Sequence, residues 1–191
     1  LFGSRTAKRT ARNMKKILDP QADLRRYENE ARMGGNVAST QRYAEELVRQ
    51  GRHDEAIEQF RKALTGLYEH DPNLMLGVAR AQFGKGDATA ARQTLDELIQ
   101  HNPDFRSPEG HLLYARALEA EGNATKALDE YKTLAPGYPG AEASVRYAQL
   151  LKAQGQAEEA RKVAQDVLDQ ARVAPDHYRR AQREWLDIAE R

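Results

Sequence analysis

Gly51-Arg52-His53-Asp54-Glu55-Ala56-Ile57-Glu58-Gln59-Phe60-Arg61-Lys62-Ala63-Leu64 is the stretch from which the fold can be read. After the glycine, Ala56, Phe60 and Ala63 follow at steps of four and three, which hold them on one face of a helix. The glycine itself suits a tight turn that needs a positive φ. The same glycine returns as Gly86, Gly122 and Gly155, at separations of 35, 36 and 33 residues. Five residues after each stands Ala56, Ala91, Ala127 or Ala160, and seven before each stands Ala44, Ala79, Ala115 or Ala148. Tyr43, Val78, Tyr114 and Tyr147 immediately precede the second alanine column. Phe60, Leu95, Tyr131 and Ala164 follow the glycines by nine, and Ala63, Leu98, Leu134 and Val167 by twelve.

These columns have a physical cause. Small alanines let two antiparallel helices approach closely, and the larger side chains fill the space between successive pairs. One such pair cannot bury its apolar face alone, so the pairs stack. Asp71-Pro72 and Ser107-Pro108 each put a capping oxygen ahead of a proline at the first helical position, and Asp19-Pro20 repeats the device. Asp87 and Asn123 directly follow their glycines and are placed to cap the second helix of their pairs. The second helix of the first pair is predicted to run on toward Tyr68.

The pattern resembles the tetratricopeptide repeat family, with Pro103 and Pro139 at the repeat-ending proline position. The chain departs from the family at its early tryptophan, where Thr40, Met75, His111 and Ser144 stand, and Gln82 occupies a usually apolar inner position. The resemblance implies an all-α fold of about four antiparallel helix-turn-helix repeats stacked in a right-handed superhelix. Four segments are expected: a basic arm over 1–18, an N-terminal capping helix over 19–36, repeats over 37–172 and a C-terminal capping helix over 173–191. The caps are read from one-sided stripes, Leu24, Tyr27 and Ala31 at one end and Tyr178, Ala181, Trp185 and Ile188 at the other. Trp185, the only tryptophan, is expected to seal the last repeat.

Composition narrows the function. Of 191 residues, 40% are hydrophobic and only 7% aromatic, and the mean hydropathy is −0.84, which favours many small helix contacts over one thick core. No cysteine is present, which removes disulfides, thiolate metal sites and a cysteine nucleophile. No apolar run approaches the roughly 18 residues of a membrane helix. His53, His70, His101, His111 and His177 show no i, i+4 helical pair and no metalloprotease motif, and His111 reads as a packed histidine. Gly84-Lys85-Gly86-Asp87 lacks the spacing and the Ser or Thr of a phosphate loop. Asn123-Ala124-Thr125 matches a glycosylation acceptor but opens a repeat helix. No enzyme chemistry, metal or cofactor is expected.

Charge is unevenly placed. Arg5, Lys8, Arg9, Arg12, Lys15 and Lys16 form the 1–18 arm with no acid, leaving 24 basic and 29 acidic residues in the rest. Three roles fit the arm: a solvated tail, an anionic membrane surface and nucleic acid phosphates. The last is disfavoured because no aromatics interleave the cations. Leu1 and Phe2 ahead of the cationic stretch read as the end of an upstream anchor, with the cytoplasmic face of an inner membrane as the expected location and the periplasm as the alternative. In this the chain resembles bacterial proteins that join a short hydrophobic N-terminal module, such as one similar to the phospholipase D-nuclease N-terminal segment, to these repeats.

The resemblance also implies that ligands lie on the concave surface of the first helices. Ten residues before each glycine stand Gln41, Leu76, Leu112 and Val145, and six before stand Glu45, Arg80, Arg116 and Gln149. Three before stand Val48, Phe83, Glu119 and Lys152. The expected groove is an apolar line of Leu76, Leu112 and Val145, flanked by Arg80 and Arg116 and extended by Phe83. It suits a protein or peptide segment with apolar anchors and an acidic group. The competing reading is internal cover, with a capping helix over the aliphatics and Glu109 or neighbouring acids paired to the arginines. A chaperone-tail clamp is disfavoured, because Gln41, Glu45 and Glu109 occupy its leading positions. The function read from all this is an interaction scaffold at a membrane. The alternatives are a periplasmic assembly or secretion cofactor and, more distantly, an RNA-binding protein using the arm.

Overall fold

Eleven α-helices and two short 3-10 turns make up the described part of the chain, residue 19 and residues 21–191 of a computed structural model. The N-terminal arm lies outside the described residues. Helix α1 (Ala22–Gly34) packs on α2 (Val37–Arg49). Four antiparallel pairs follow one another: α2 with α3 (His53–Ala63), α4 (Pro72–Gly84) with α5 (Ala88–His101), α6 (Pro108–Ala120) with α7 (Ala124–Leu134), and α8 (Glu142–Ala153) with α9 (Ala157–Val173). Two short helices, α10 (Asp176–Ala181) and α11 (Arg183–Ala189), complete the chain, and α11 packs on both α8 and α9.

The glycine and alanine columns account for this arrangement. Gly51, Gly86, Gly122 and Gly155 have φ of 74°, 93°, 81° and 80°, left-handed values at the turn inside each pair. Ala44, Ala79, Ala115, Ala56, Ala91 and Ala127 are fully buried, where two helix backbones meet. Gly77 extends the logic across pairs: a Cβ there would lie 2.4 Å from the ring of Phe60, so only glycine admits that ring against α4. The result is a row of small cores. Tyr43, Leu47, Phe60, Leu74 and Val78 form the first, Met75, Leu95, Leu98 and Leu113 the next, and Ala115, Leu118, Tyr131 and Leu150 a third. Each fully buried aliphatic stabilises the stack by roughly 1.5–3 kcal/mol.

Helix starts follow the capping residues. Asp71 accepts from the N–H groups of Asn73 and Leu74, both at 3.0 Å, and Ser107 Oγ accepts from Gly110 N–H at 3.0 Å. Asp87 accepts from Ala90 N–H at 3.0 Å and Asn123 from Lys126 N–H at 3.4 Å. Asn36, which the sequence reading passed over, caps α2 by accepting from Ser39 N–H at 2.8 Å.

Three local expectations are corrected. Helix α3 ends at Ala63 and does not run to Tyr68, because Thr65 is extended and Gly66 takes φ 57°; Gly66–Tyr68 is a separate 3-10 turn. Asp19 does not cap α1. It accepts from Gln21 N–H at 3.2 Å, one residue ahead of the helix, whose Ncap residue Gln21 gives no side-chain bond. The C-terminal stripe does not lie on one helix, since the chain breaks at Gln182, whose Oε1 reaches back to accept from Ala141 N–H at 2.9 Å. Trp185 nonetheless packs with Leu186 and Ile188 on Ala141, Val145 and Val167 of the last pair.

Candidate partner-binding face

The first helices of the first three pairs, α2, α4 and α6, also pack on one another, more closely than the second helices do. That asymmetry curves the stack and puts the first-helix face on its inner side. Between α2 and α4 the face dips into a depression of about 490 Å³. Its lining includes Tyr27, Val48 and Phe60, with Arg42, Glu45 and Arg80 around them.

The residues expected along this face separate into three groups. Gln41 and Glu45 lie on α2, where Gln41 Nε2 donates to Glu45 Oε1 at 2.9 Å, and Glu45 is exposed. Gln149, on α8, is also exposed. Gln41 is half-buried, and Glu45 and Gln149 are presented to solvent. Leu76, Leu112 and Val145 are not: they are 4%, 5% and 1% exposed. The expected open apolar line is therefore corrected to a buried one. Leu76 packs with Met75, Ala79, Leu95 and Leu113, and Leu112 belongs to the core around Tyr131. Val145 is covered by Trp185 and its neighbours. Their neighbours come from adjacent pairs and from the terminal helices, so helix periodicity in one repeat does not reveal the cover.

The cations behave differently from one another. Arg80 is ion-paired with Glu109 of the next pair, the internal pairing weighed above. Arg146 donates through Nε to Glu142 Oε1 at 2.8 Å and lies 4.8 Å from the ring centroid of Trp185. Arg116 stands over Phe83 at 4.7 Å from the ring centroid. Burial first, and then the charge of Arg146, hold the Arg116 guanidinium below its ordinary pKa. Tyr131, fully buried, donates from its hydroxyl to Glu119 Oε2 at 2.7 Å; burial first, then that carboxylate, pushes the phenol pKa well up.

A second cavity, about 570 Å³, opens between α5, α6 and α7, with Leu95, Leu98, Phe105 and Leu134 among its lining residues. On its wall His111 Nε2 meets Glu130 Oε2 at 2.7 Å, a satisfied histidine as its inner position suggested. Tyr114 donates to Asp96 Oδ1 at 2.9 Å nearby. Among the described residues no helix is long and apolar enough to cross a membrane.

Comparison with known proteins agrees with this architecture. A tetratricopeptide repeat family model matches residues 47–117. Two crystal structures of MamA superpose with TM-scores of 0.64 and 0.63, each at 19% identity over 81% of this chain and over 91% and 85% of theirs. A thermophilic TPR protein of Thermus thermophilus superposes with a TM-score of 0.65 at 18% identity, covering 96% of this chain and 97% of that one. At such identities the likeness is one of fold. No curated protein matches the sequence.

Proposed function

We propose that this chain, of which residues 47–117 match a tetratricopeptide repeat family model, is a non-enzymatic scaffold that holds a protein or peptide partner on the face of its first helices. One observation supports that face above the others: the depression between α2 and α4, apolar beneath and charged around, bordered by the exposed side chains of Arg42 and Glu45. A surface of this kind suits an extended or helical segment that brings one apolar group and matching charges. The arm, with six cations and no acid over 1–18, supports attachment at an anionic lipid surface, each cation near the surface adding about 1 kcal/mol.

A photo-crosslinking amino acid placed in turn at Glu45, Gln149 and Glu58 tests the face. Glu58 lies exposed on a second helix and serves as the contrast. Adducts with one protein at Glu45 and Gln149, and none at Glu58, are the expected result; the reverse pattern overturns the assignment. Co-sedimentation with anionic vesicles tests the arm. Binding that fades with salt and vanishes when 1–18 is removed is expected, and equal binding to neutral vesicles defeats the lipid reading.

A further inference from the structure

The four first helices carry five arginines, Arg42, Arg49, Arg80, Arg116 and Arg146. Four have a carboxylate: Arg42 meets Glu30 at 3.6 Å, Arg49 meets Glu46, Arg80 meets Glu109 and Arg146 meets Glu142. Arg116 makes no hydrogen bond or ion pair among the described residues. It is also partly buried, so it has given up water without gaining a counter-charge. Such a cation costs stability unless something else compensates it. The face of Phe83 beneath it compensates in part, as a ring quadrupole does for a cation. The nearest acids are committed elsewhere, Glu119 to the Tyr131 hydroxyl and Glu142 to Arg146.

We propose that Arg116, seated on Phe83, is the anchor for a single carboxylate on an acidic side chain of the partner segment. A neighbouring apolar group of that segment rests on the open part of the Phe83 ring. This rests on the reading that the first-helix face receives a protein. Arg146 is neutralised by Glu142, so Arg116 offers one cation without an ion pair, and a single carboxylate matches it in charge. The guanidinium fork also matches a carboxylate in two parallel hydrogen bonds.

Three capped peptides of one sequence, Ala-Leu-X-Leu-Ala, with Glu, Gln or phosphoserine at X, probe the site on the full chain. The signal is the side-chain Nε–H resonance of Arg116. A saturable shift with the Glu peptide, none with Gln, and affinity about tenfold lower in Arg116→Gln are the expected results, tenfold being about 1.4 kcal/mol. Equal response to Glu and Gln, preference for phosphoserine, or no response overturns the proposal. Arg116→Met guards against a purely structural role. Its thermal midpoint is expected to be equal to or above that of the parent, because an uncompensated cation is removed; a lowered midpoint counts against the proposal. The two readings fail separately. A partner crosslinked at Glu45 that binds Arg116→Gln with parent affinity sinks the carboxylate site alone, whereas crosslinks confined to Glu58 sink the groove reading.

Discussion

The ring of Phe60 lies against Gly77 so closely that a single methyl on residue 77 would stand 2.4 Å from two ring carbons. Phe60 is 1% exposed, so moving the ring disturbs the core packed around it. Gly77→Ala therefore sets two effects against each other. Alanine gains about 1 kcal/mol of helix propensity, and overpacking costs about 1–3 kcal/mol. The expected net is destabilisation. Urea unfolding of Gly77→Ala, and of the same change combined with Phe60→Leu, measures it; the smaller side chain is expected to restore part of the loss.

Ala127 tests the alanine columns. It is fully buried where α7 meets its partner helix, and Ala127→Leu is expected to cost roughly 1–3 kcal/mol. Glu58 pairs with Lys62 across one helical turn with both side chains well exposed, and Glu58→Gln is expected to stay within about 0.5 kcal/mol. Similar denaturation midpoints for the two variants would contradict the packing described.

Alkaline pH should reveal Tyr114. Burial first, and the adjoining Asp96 carboxylate next, push its phenol pKa up to about 12, against about 10 in an unfolded chain. Between these values the folded state keeps a proton that the unfolded state has released. Stability from this group is thus complete below about pH 10 and is lost as pH rises toward about 12. Tyr114→Phe has no such proton to hold. The stability gap between parent and variant is expected to narrow over that range, as read from urea titrations at a series of pH values.

Trp185 should report the C-terminal end on its own. None of the residues of α10 or α11 is fully buried, whereas the inner pairs hold completely buried alanines and aromatics. In a stack of nearest-neighbour contacts the weakest terminal unit opens first. Tryptophan fluorescence is expected to change at lower denaturant than far-ultraviolet dichroism does. Coincident transitions would mean that the end is as firmly held as the middle.

What the sequence discloses and what it withholds divide by range. The turn glycines, the alanine columns and the Asp71, Asp87 and Ser107 caps are set within a few residues of themselves, and each stands where the periodicity puts it. The burial of Leu76, Leu112 and Val145 depends on side chains from other pairs and from α11, which one helix's periodicity does not encode. The same holds for Arg80 with Glu109, 29 residues apart, and Gln182 with Ala141, 41 apart. Of the two arginines picked from the repeat register, only the three-dimensional arrangement distinguishes the paired Arg80 from the solitary Arg116. Asn36 had a local signal, an Asn ahead of Val37 at a helix start, and was readable.

The Gln182 bond to Ala141 also gives the molecule a mechanical polarity. Pulled from its C-terminal end, the chain loads that hydrogen bond and the Trp185 contacts before any alanine column is strained. Those links are few and near the surface, so they shear at low force and peel the last two helices away. Each helix pair behind them then meets the load in turn, and the stack yields as a succession of small steps, the way a zip opens, in place of one break.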